Sequence, residues 1–239
     1  MTDTADTAFD PDLLAASLVF QDLPDDRLAK IAAASRLIDV PAGTRICAQG
    51  SAPTAFFLLI EGQVGLSNTA PNGSSVVVEV LHPGAHFMMS SVLARLPMLM
   101  NADATAASRV IAVDGEALYA LIETDAAIAT AVLRAEALDF RAMVRQVCDL
   151  KLRTTAQRLG CYLLEQSQER QANSAAFRLP FDKRLLAAKL GCRQENLSRA
   201  FAALRAIGVE THGSRVVLQD IKRLRDYAVP DEPLDAAAG

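Results

Sequence analysis

The sequence predicts an α+β fold in which an N-terminal β-roll is joined by one long helix to a C-terminal winged helix-turn-helix. Short β-rich segments punctuated by glycine and proline fill the first half of the chain. A long helical pattern follows, and a helix–glycine–helix pattern lies near the C-terminus. The predicted boundaries are 1–124 for the roll, 125–152 for the long helix, 153–228 for the winged helix-turn-helix and 229–239 for a disordered tail.

The amino-acid composition argues against a membrane-spanning or a secreted protein. The 239 residues, 51% of them hydrophobic, are enough for two domain cores. No apolar stretch approaches the roughly 20 residues that cross a bilayer, and the first residues are acidic, unlike a signal peptide. These features predict a cytoplasmic protein with no membrane partner.

The cysteine and histidine content argues against an enzyme. The four cysteines lie too far apart for the paired spacings of a zinc or iron–sulfur site, so we expect free thiols. The chain has only three histidines, too few for a histidine-rich metal site. The cysteines are Cys47, Cys148, Cys161 and Cys192.

The β-roll begins after a helical pattern that is interrupted at Pro24, where Asp25 and Asp26 favour the start of a second helix. From Leu37 the segments shorten, become β-rich and are typical of an antiparallel barrel or roll. Five glycines are expected at the corners, where a positive φ is needed. They are Gly43, Gly50, Gly62, Gly73 and Gly84.

From about Asp125 a helical pattern runs for some 25 residues. Its apolar residues recur in alternating steps of four and three, which is typical of a coiled-coil seam and predicts a homodimer. The seam residues are Leu133, Ala137, Phe140, Val144 and Val147, with Arg134, Arg141 and Arg145 off the seam. The alternative is an ordinary helix that packs on its own domain.

The C-terminal segment predicts a helix-turn-helix. Asp182 is placed to cap a short helix, Gly191 to end it in a tight turn, and the second helix runs from Glu195 to Leu204. Apolar contacts between the two helices come from Leu186, Ala187, Leu190, Leu197, Phe201 and Leu204. The stretch GVETHGSRVVLQ then predicts two short strands around His212, forming a wing.

Charge is distributed unevenly along the chain. From Lys151 to Tyr227 there are 15 Lys and Arg against 7 Asp and Glu, whereas the remainder has 9 against 21. A basic C-terminal module on an acidic body indicates that this module contacts nucleic-acid phosphate, and double-stranded DNA is the expected partner.

The polar residues at the start of the second helix are suited to base contacts in a major groove. Arg binds guanine bidentately, Glu accepts from the cytosine amino group and Ser serves several bases. The predicted DNA-binding residues are Arg193, Gln194, Glu195, Ser198, Arg199 and His212. The alternative for Glu195 and Arg199 is a salt bridge within the helix.

On these motifs the chain resembles the Crp/Fnr family of bacterial transcription regulators over nearly its whole length. The resemblance rests on PAGTRICAQG, FFLLIEGQVGLS, HPGAHF, the long helix and LGCRQENLSRAFAALRAIGV. It implies a cyclic-nucleotide-binding-type roll and a ligand- or gas-responsive homodimer that would contact RNA polymerase if it is an activator. The base-contacting triplet of the Fnr-like branch falls on Glu195, Ser198 and Arg199, which implies TTGA-like half-sites.

The sensor region departs from the cyclic-AMP pattern of this family. Where the resemblance places a Gly-Glu pair the chain has Met88 and Met89, and the family's Arg-Ser pair falls on about Met98 and Leu99. An anionic phosphate lacks its bidentate partner and a ribose hydroxyl lacks its acceptor. We therefore expect cyclic AMP to bind weakly or not at all.

An apolar, methionine-rich pocket is expected in its place. Its residues are Phe87, Met88, Met89, Met98, Leu99 and Met100 together with His82 and His86. The family's gas sensors make haem the candidate cofactor, with either histidine or a methionine as axial ligand; the alternative is core packing. No cysteine precedes Cys47, so the iron–sulfur cluster of the family's oxygen sensors is not expected.

Two other function classes stay open on sequence alone. Glycine-rich rolls also resemble cupin metalloenzymes, which need two or three histidines and a carboxylate inside the barrel. His82 and His86 are the only histidines in the roll, and they straddle a Pro-Gly turn. A scaffold module without DNA binding would carry no base-contacting side chains on its second helix.

Overall fold

The computed structural model describes residues 10–167, 173–179 and 183–230. The chain divides into two compact units, and the division falls between Ala142 and Met143. The predicted cap at Asp182 and residues 231–239 of the predicted tail lie outside the described residues.

The first unit contains the β-roll that the sequence predicts. Two antiparallel sheets have the orders β1-β8-β3-β6 and β2-β7-β4-β5. The strands are β1 Ser35–Val40, β2 Arg45–Cys47, β3 Ala55–Glu61, β4 Val64–Thr69, β5 Ser75–Leu81, β6 His86–Phe87, β7 Asn101–Ala104 and β8 Ser108–Asp114. All five corner glycines have positive φ, as predicted. At Gly62 a Cβ would lie 2.3 Å from the Ala107 carbonyl oxygen, so this corner excludes other residues.

Strand β3 is apolar on both faces because both faces are buried. Phe57 and Leu59 pack in the core between the two sheets. Phe56 and Leu58 point to the other side, where they join a second core built with the helices of this unit. The sheet that contains β3 is therefore a layer between two apolar cores.

The helices of the first unit include two that the sequence analysis did not identify, α3 and α4. The set is α1 Asp12–Ala15, α2 Asp25–Ala33, α3 Met89–Ala94, α4 Gly115–Thr124 and the long helix α5 Ala126–Leu152, whose residues from Met143 onward belong to the second unit. The helix start at Asp25 after Pro24 is confirmed, and so is the 27-residue helix after Asp125. Within the described ranges no helix, including α5, is both long enough and apolar enough to cross a membrane.

The second unit is the winged helix-turn-helix. Its elements after α5 are α6 Thr155–Gln166, β9 Ala175–Arg178, α7 Lys183–Lys189, α8 Gln194–Arg205, β10 Val209–His212, β11 Arg215–Leu218 and α9 Ile221–Ala228. The strands form an antiparallel sheet of order β10-β11-β9. Strand β9 overlaps a segment interpreted from sequence as polar linker, because its four residues are too few to show an alternation by themselves.

Candidate DNA-binding surface and effector region

Helix α8 separates into a buried face and an exposed face. Leu197 and Leu204 are at most 1% exposed and pack in one core with Leu159 and Leu163 of α6. The four residues predicted to contact bases, Gln194, Glu195, Ser198 and Arg199, are all exposed. The helix is thus held by its apolar side and presents polar side chains at its N-terminal end.

The turn between α7 and α8 requires glycine. Gly191 has φ +60°, and a Cβ there would lie 2.6 Å from Leu150 Cδ2 near the end of α5. The Cys192 amide donates to the Ala187 carbonyl at 2.9 Å, which closes the turn. Arg158 of α6 donates from Nε to the Leu190 carbonyl at 3.0 Å and steadies the end of α7.

The N-terminus of α8 leaves its charged groups accessible. Arg193 occupies the N-cap position with extended backbone and is exposed. Among the described residues no ion pair joins Glu195 to Arg199, so the alternative of an intrahelical salt bridge is not observed. Both side chains remain available to a ligand.

The wing carries a row of basic side chains that sequence analysis identified only in part. In the strand register His212 lies opposite Arg215, and Arg215 lies opposite Arg178. Directly opposed residues project from the same face of a sheet, so the three side chains form one exposed row across three strands. Within the described ranges neither arginine has an ion-pair partner, while His212 Nε2 lies 3.7 Å from a Glu210 carboxylate oxygen.

The pairing of β9 with β11 places Arg178 opposite Arg215, and no local pattern in the sequence shows this pairing. Like charges directly opposite each other disfavour a sheet. A row of this kind is suited to a polyanion that supplies the missing counter-charge.

The seam predicted on α5 is exposed over its whole length. Leu133 is 70% and Phe140 64% exposed, and Val144 and Val147 retain almost half of their surface. Ile128, Val132 and Ala135 lie on another side of the helix and are buried in the core of the first unit. The helix therefore packs on its own domain with one side while the seam stays uncovered.

The effector region is centred on α3, which begins and ends at left-handed residues. Met88 has φ +67° and Arg95 has φ +53°. Met88 occupies the position at which the Crp/Fnr resemblance expects glycine. A left-handed backbone costs a residue with a side chain about 1–2 kcal/mol, so Met88 is held in a strained conformation.

The residues predicted to line one pocket are divided between different environments. Phe87, Met88 and Met98 pack in the core between the sheets, and Met100 packs against it. Met89 lies in the other core, and Leu99 is 66% exposed. The prediction of one shared pocket is wrong for this set, because adjacent residues at the start of α3 point to opposite sides of the sheet.

The two roll histidines do not face the methionines as a pair. His82 is exposed, and His86 Nε2 lies 2.9 Å from Asp139 Oδ2 of α5. Two cavities in the described part of the chain, one beside Leu150 and Arg158 and the other beside Asp39 and Arg109, are lined by none of the predicted pocket residues. The predicted ligand set does not fit haem in this conformation, so we assign haem no role.

The described residues contain no group of three or more histidine, cysteine or carboxylate side chains arranged to hold a metal ion. All four cysteines are free of disulfides, as predicted. Burial raises the pKa of the Cys47 thiol to about 11. That thiol is protonated at neutral pH and behaves as a small core residue.

Arg95, the cation nearest the predicted phosphate position, is engaged on the outside of the roll. Its guanidinium lies 3.0 Å from the Glu116 carboxylate and 4.4 Å from the centre of the Tyr119 ring, both on α4. This clamp connects α3 to α4, so Arg95 does not replace the arginine of the cyclic-AMP pattern.

Replacing Met88 tests the backbone strain at α3. Loss of the buried side chain destabilises both Met88→Ala and Met88→Gly, but glycine relieves the left-handed strain and should leave the protein about 1 kcal/mol more stable than alanine does. At Met89, the first residue of α3, no left-handed strain is relieved and the order should reverse, by about 0.5 kcal/mol. Urea unfolding of the four variants measures both differences; a glycine disadvantage at both positions would exclude the strain.

Two protein-family models match the chain. Residues 37–125 match the cyclic nucleotide-binding domain, and residues 157–227 match the Crp-like helix-turn-helix domain. The first match covers the roll from β1 to the end of α4, and the second covers the helix-turn-helix and the wing.

Relatives of known function and structure are similar along most of the chain. A CRP-like cAMP-activated global transcriptional regulator of Mycobacterium tuberculosis is 24% identical, over 89% of this chain and 97% of the relative. A cyclic nucleotide-binding-type protein from Ruegeria pomeroyi DSS-3 is 29% identical, over 92% and 97% of the two chains, with a TM-score of 0.59. FixK2 from Bradyrhizobium japonicum shares the fold with a TM-score of 0.64 at 21% identity, over 80% and 96% of the chains.

Proposed function

The chain belongs to the Crp/Fnr family of transcription regulators, and on that premise we propose that two copies bind one DNA duplex as a symmetric, effector-controlled dimer. The observation that carries the proposal is the exposed N-terminal end of α8, whose four polar residues have a packed helix-turn-helix behind them. The helix reaches base edges with that end when it lies in a major groove.

The side chains of α8 suit a short mixed sequence. Arg199 is assigned to guanine O6 and N7, Glu195 to a cytosine amino group and Ser198 to a neighbouring base, with Gln194 beside them. Arg193 and His212 are assigned to the DNA backbone, where they fix the position of the protein. This set supports TTGA-like half-sites.

Two half-sites require two copies of α8, and the exposed seam of α5 provides the surface that joins them. An uncovered apolar stripe on a soluble helix is stabilised when a second copy packs against it. A two-fold symmetric dimer then matches a palindromic site.

Fluorescence anisotropy with two duplexes tests the function. A palindrome of TTGA-type half-sites should bind about 1,000-fold or more tightly than a scrambled duplex, with affinity falling steeply as salt rises. Equal affinity for the two duplexes would exclude sequence-specific binding.

The basic row of the wing predicts a separate effect on salt dependence. Replacing Arg178 and Arg215 by glutamine should weaken binding to all sequences equally and reduce the slope of log K against log salt by about 0.9 for each phosphate that is no longer neutralised. Arg36→Gln, an exposed change on β1, serves as the control and should leave the slope unchanged. An unchanged slope in the double variant would remove the wing from the interface.

We propose that the roll responds to an effector other than cyclic AMP, although the Mycobacterium tuberculosis relative is described as cAMP-activated. Met89 is 1% exposed in an apolar core where the cyclic-AMP pattern has glutamate, and Arg95 is held by α4. If the phosphate of cyclic AMP were buried beside Met89, it would lack a cationic partner, and burying an unpaired charge costs free energy.

Isothermal titration with cyclic AMP should therefore give a Kd weaker than about 1 mM, close to the limit of specific binding. Titration of the same preparation with operator DNA provides the control for active protein. A micromolar Kd for cyclic AMP would contradict the assignment.

We favour a regulator over a cupin-type metalloenzyme or a scaffold. The exposed α8 residues supply base-contacting chemistry that a scaffold does not need. His86 is bound to Asp139 on α5, so it is not directed with His82 at a common metal position.

A further inference from the structure

A small cavity lies in the second unit, beside the turn that precedes α8. It is formed by the end of α5, one side of α6 and the end of α7, and its volume is about 130 Å³. We call it the α6 cavity. A cavity of about 150 Å³ accommodates benzene, so this one admits a ligand of about six non-hydrogen atoms. The polar residues that matter for a ligand are Asp149, Arg158, Tyr162, Glu165 and Lys189.

The hydroxyl group of Tyr162 has no hydrogen-bond partner in the described part of the chain. Tyr162 is only 3% exposed. Burial, together with the negative charge of Glu165, raises the pKa of Tyr162 to about 12. The hydroxyl is therefore protonated at neutral pH and has a proton to donate. Buried polar groups are nearly always hydrogen-bonded, and an exception is a reason to look for a bound molecule.

Glu165 and Lys189 line the same cavity without pairing with each other. Partial burial raises the pKa of Glu165, and the positive charge of Lys189 partly offsets this shift. Glu165 acts in turn on Tyr162, so the three groups lie within electrostatic reach of one another. Within the described ranges neither Glu165 nor Lys189 has an ion pair or a hydrogen bond from its side chain.

The other two charges in the lining already have partners. Asp149 forms an ion pair with Arg153. Arg158 donates from Nη1 to the Arg153 carbonyl at 2.7 Å and from Nε to the Leu190 carbonyl at 3.0 Å. Among the described lining residues, the groups left for a ligand are therefore one buried hydroxyl donor, one cation and one anion.

A small zwitterion complements these three groups. We propose that the α6 cavity binds an amino acid of about the size of alanine. Its carboxylate accepts hydrogen bonds from Lys189 and from the Tyr162 hydroxyl, and its ammonium group donates to Glu165. A ligand with a single charge would leave either Glu165 or Lys189 without a partner.

The bound amino acid would lie next to the turn of the helix-turn-helix. Lys189 is the last residue of α7, and Leu190 after it lines the cavity and accepts from Arg158. Gly191 packs against Leu150, which is also part of the lining. A ligand that orders this end of α7 should raise the affinity for DNA, and DNA should raise the affinity for the ligand by the same factor. This coupling rests on the proposed function, whereas binding of the amino acid does not.

Three matched compounds test the ligand class. Alanine carries both charges, propionate is the same molecule without the ammonium group, and ethylamine is the same molecule without the carboxylate. Saturation-transfer difference NMR should show that alanine binds, and that each analogue binds about tenfold or more weakly because it loses a hydrogen bond between charged groups. No binding of alanine would overturn the site. An analogue that binds as tightly as alanine would overturn the zwitterion.

Substitutions in the lining test where the ligand binds. Tyr162→Phe removes a hydroxyl that has no partner, so without ligand the variant should be as stable as the wild type. It should nevertheless bind alanine about tenfold more weakly, and so should Lys189→Gln. Tyr227→Phe on α9 and Lys183→Gln at the start of α7 are matched controls at exposed positions outside the lining. Equal affinity of all four variants for alanine would place its binding elsewhere and overturn the inference.

Fluorescence anisotropy with the palindromic duplex measures the coupling. An alanine concentration that saturates the wild type should raise its DNA affinity about fivefold or more, and should raise that of Tyr162→Phe less. Alanine that binds without changing the DNA affinity would overturn the coupling to the turn. If alanine does not bind, the duplex is still recognised in its absence and the proposed function stands. A protein that fails to distinguish the palindrome from the scrambled duplex contradicts the proposed function instead.

Discussion

Phe140→Glu is expected to convert the dimer into monomers. Phe140 is 64% exposed at the centre of the α5 seam, so the change costs a single chain little. In a dimer it places two carboxylates in an apolar contact, where unpaired charge costs about 3–5 kcal/mol. Sedimentation velocity should show dimerisation weakened by more than about 100-fold.

The affinity of the Phe140→Glu variant for DNA should fall because its dimer dissociates. A monomer engages one half-site, so the gain from linking two binding events, about 100-fold or more, is lost. Leu138→Glu is the matched control, since Leu138 is 51% exposed on the same helix but lies off the seam. A Phe140→Glu protein that stays dimeric would exclude α5 as the contact between copies.

Arg199→Ala is expected to abolish discrimination at one base pair in each half-site. A bidentate arginine–guanine contact contributes about 1–3 kcal/mol of discrimination, so preference at that position should fall by about 5- to 150-fold. Competition binding with all four base pairs at each half-site position measures the change.

Arg205→Ala provides the comparison for Arg199. Arg205 is also exposed on α8 but lies at its C-terminal end, away from the base edges. We expect that variant to keep the same preferred sequence. If Arg199→Ala retained full discrimination at every position, the assigned orientation of α8 would be wrong.

Most of the fold can be predicted from the hydrophobic periodicity of the sequence and from the residues that favour turns. The alternating steps of four and three residues predict α5, and Gly191 with the apolar residues around it predicts the helix-turn-helix, because each pattern is local and long enough to be distinctive. The sequence analysis predicted neither α4 nor the C-terminal helix α9, although both have local signals. Asp114 and Asp220 accept hydrogen bonds at 2.9 Å from the amides of Ala117 and Arg223 at the starts of α4 and α9.

The effector region was harder to predict because tertiary packing decides it. Met88 and Met89 are identical neighbours in sequence, yet one packs between the sheets and the other against the helices. No periodicity distinguishes them, since the chain passes from a two-residue strand into a six-residue helix at this point. The basic row of the wing was missed for a related reason: it depends on the pairing of β9 with β11.

The spacing between the two half-sites shows whether two copies bind one duplex as a symmetric dimer. If two copies insert α8 into successive major grooves on one side of a duplex, the half-sites must lie about one helical turn, or about 10 base pairs, apart. Inserting about five base pairs, half a turn, moves one half-site to the opposite side of the DNA. Two chains should bind the original duplex, and the affinity for the lengthened duplex should be about 100-fold or more weaker. Equal affinity for both duplexes, or one chain per duplex at saturation, would contradict the symmetric dimer.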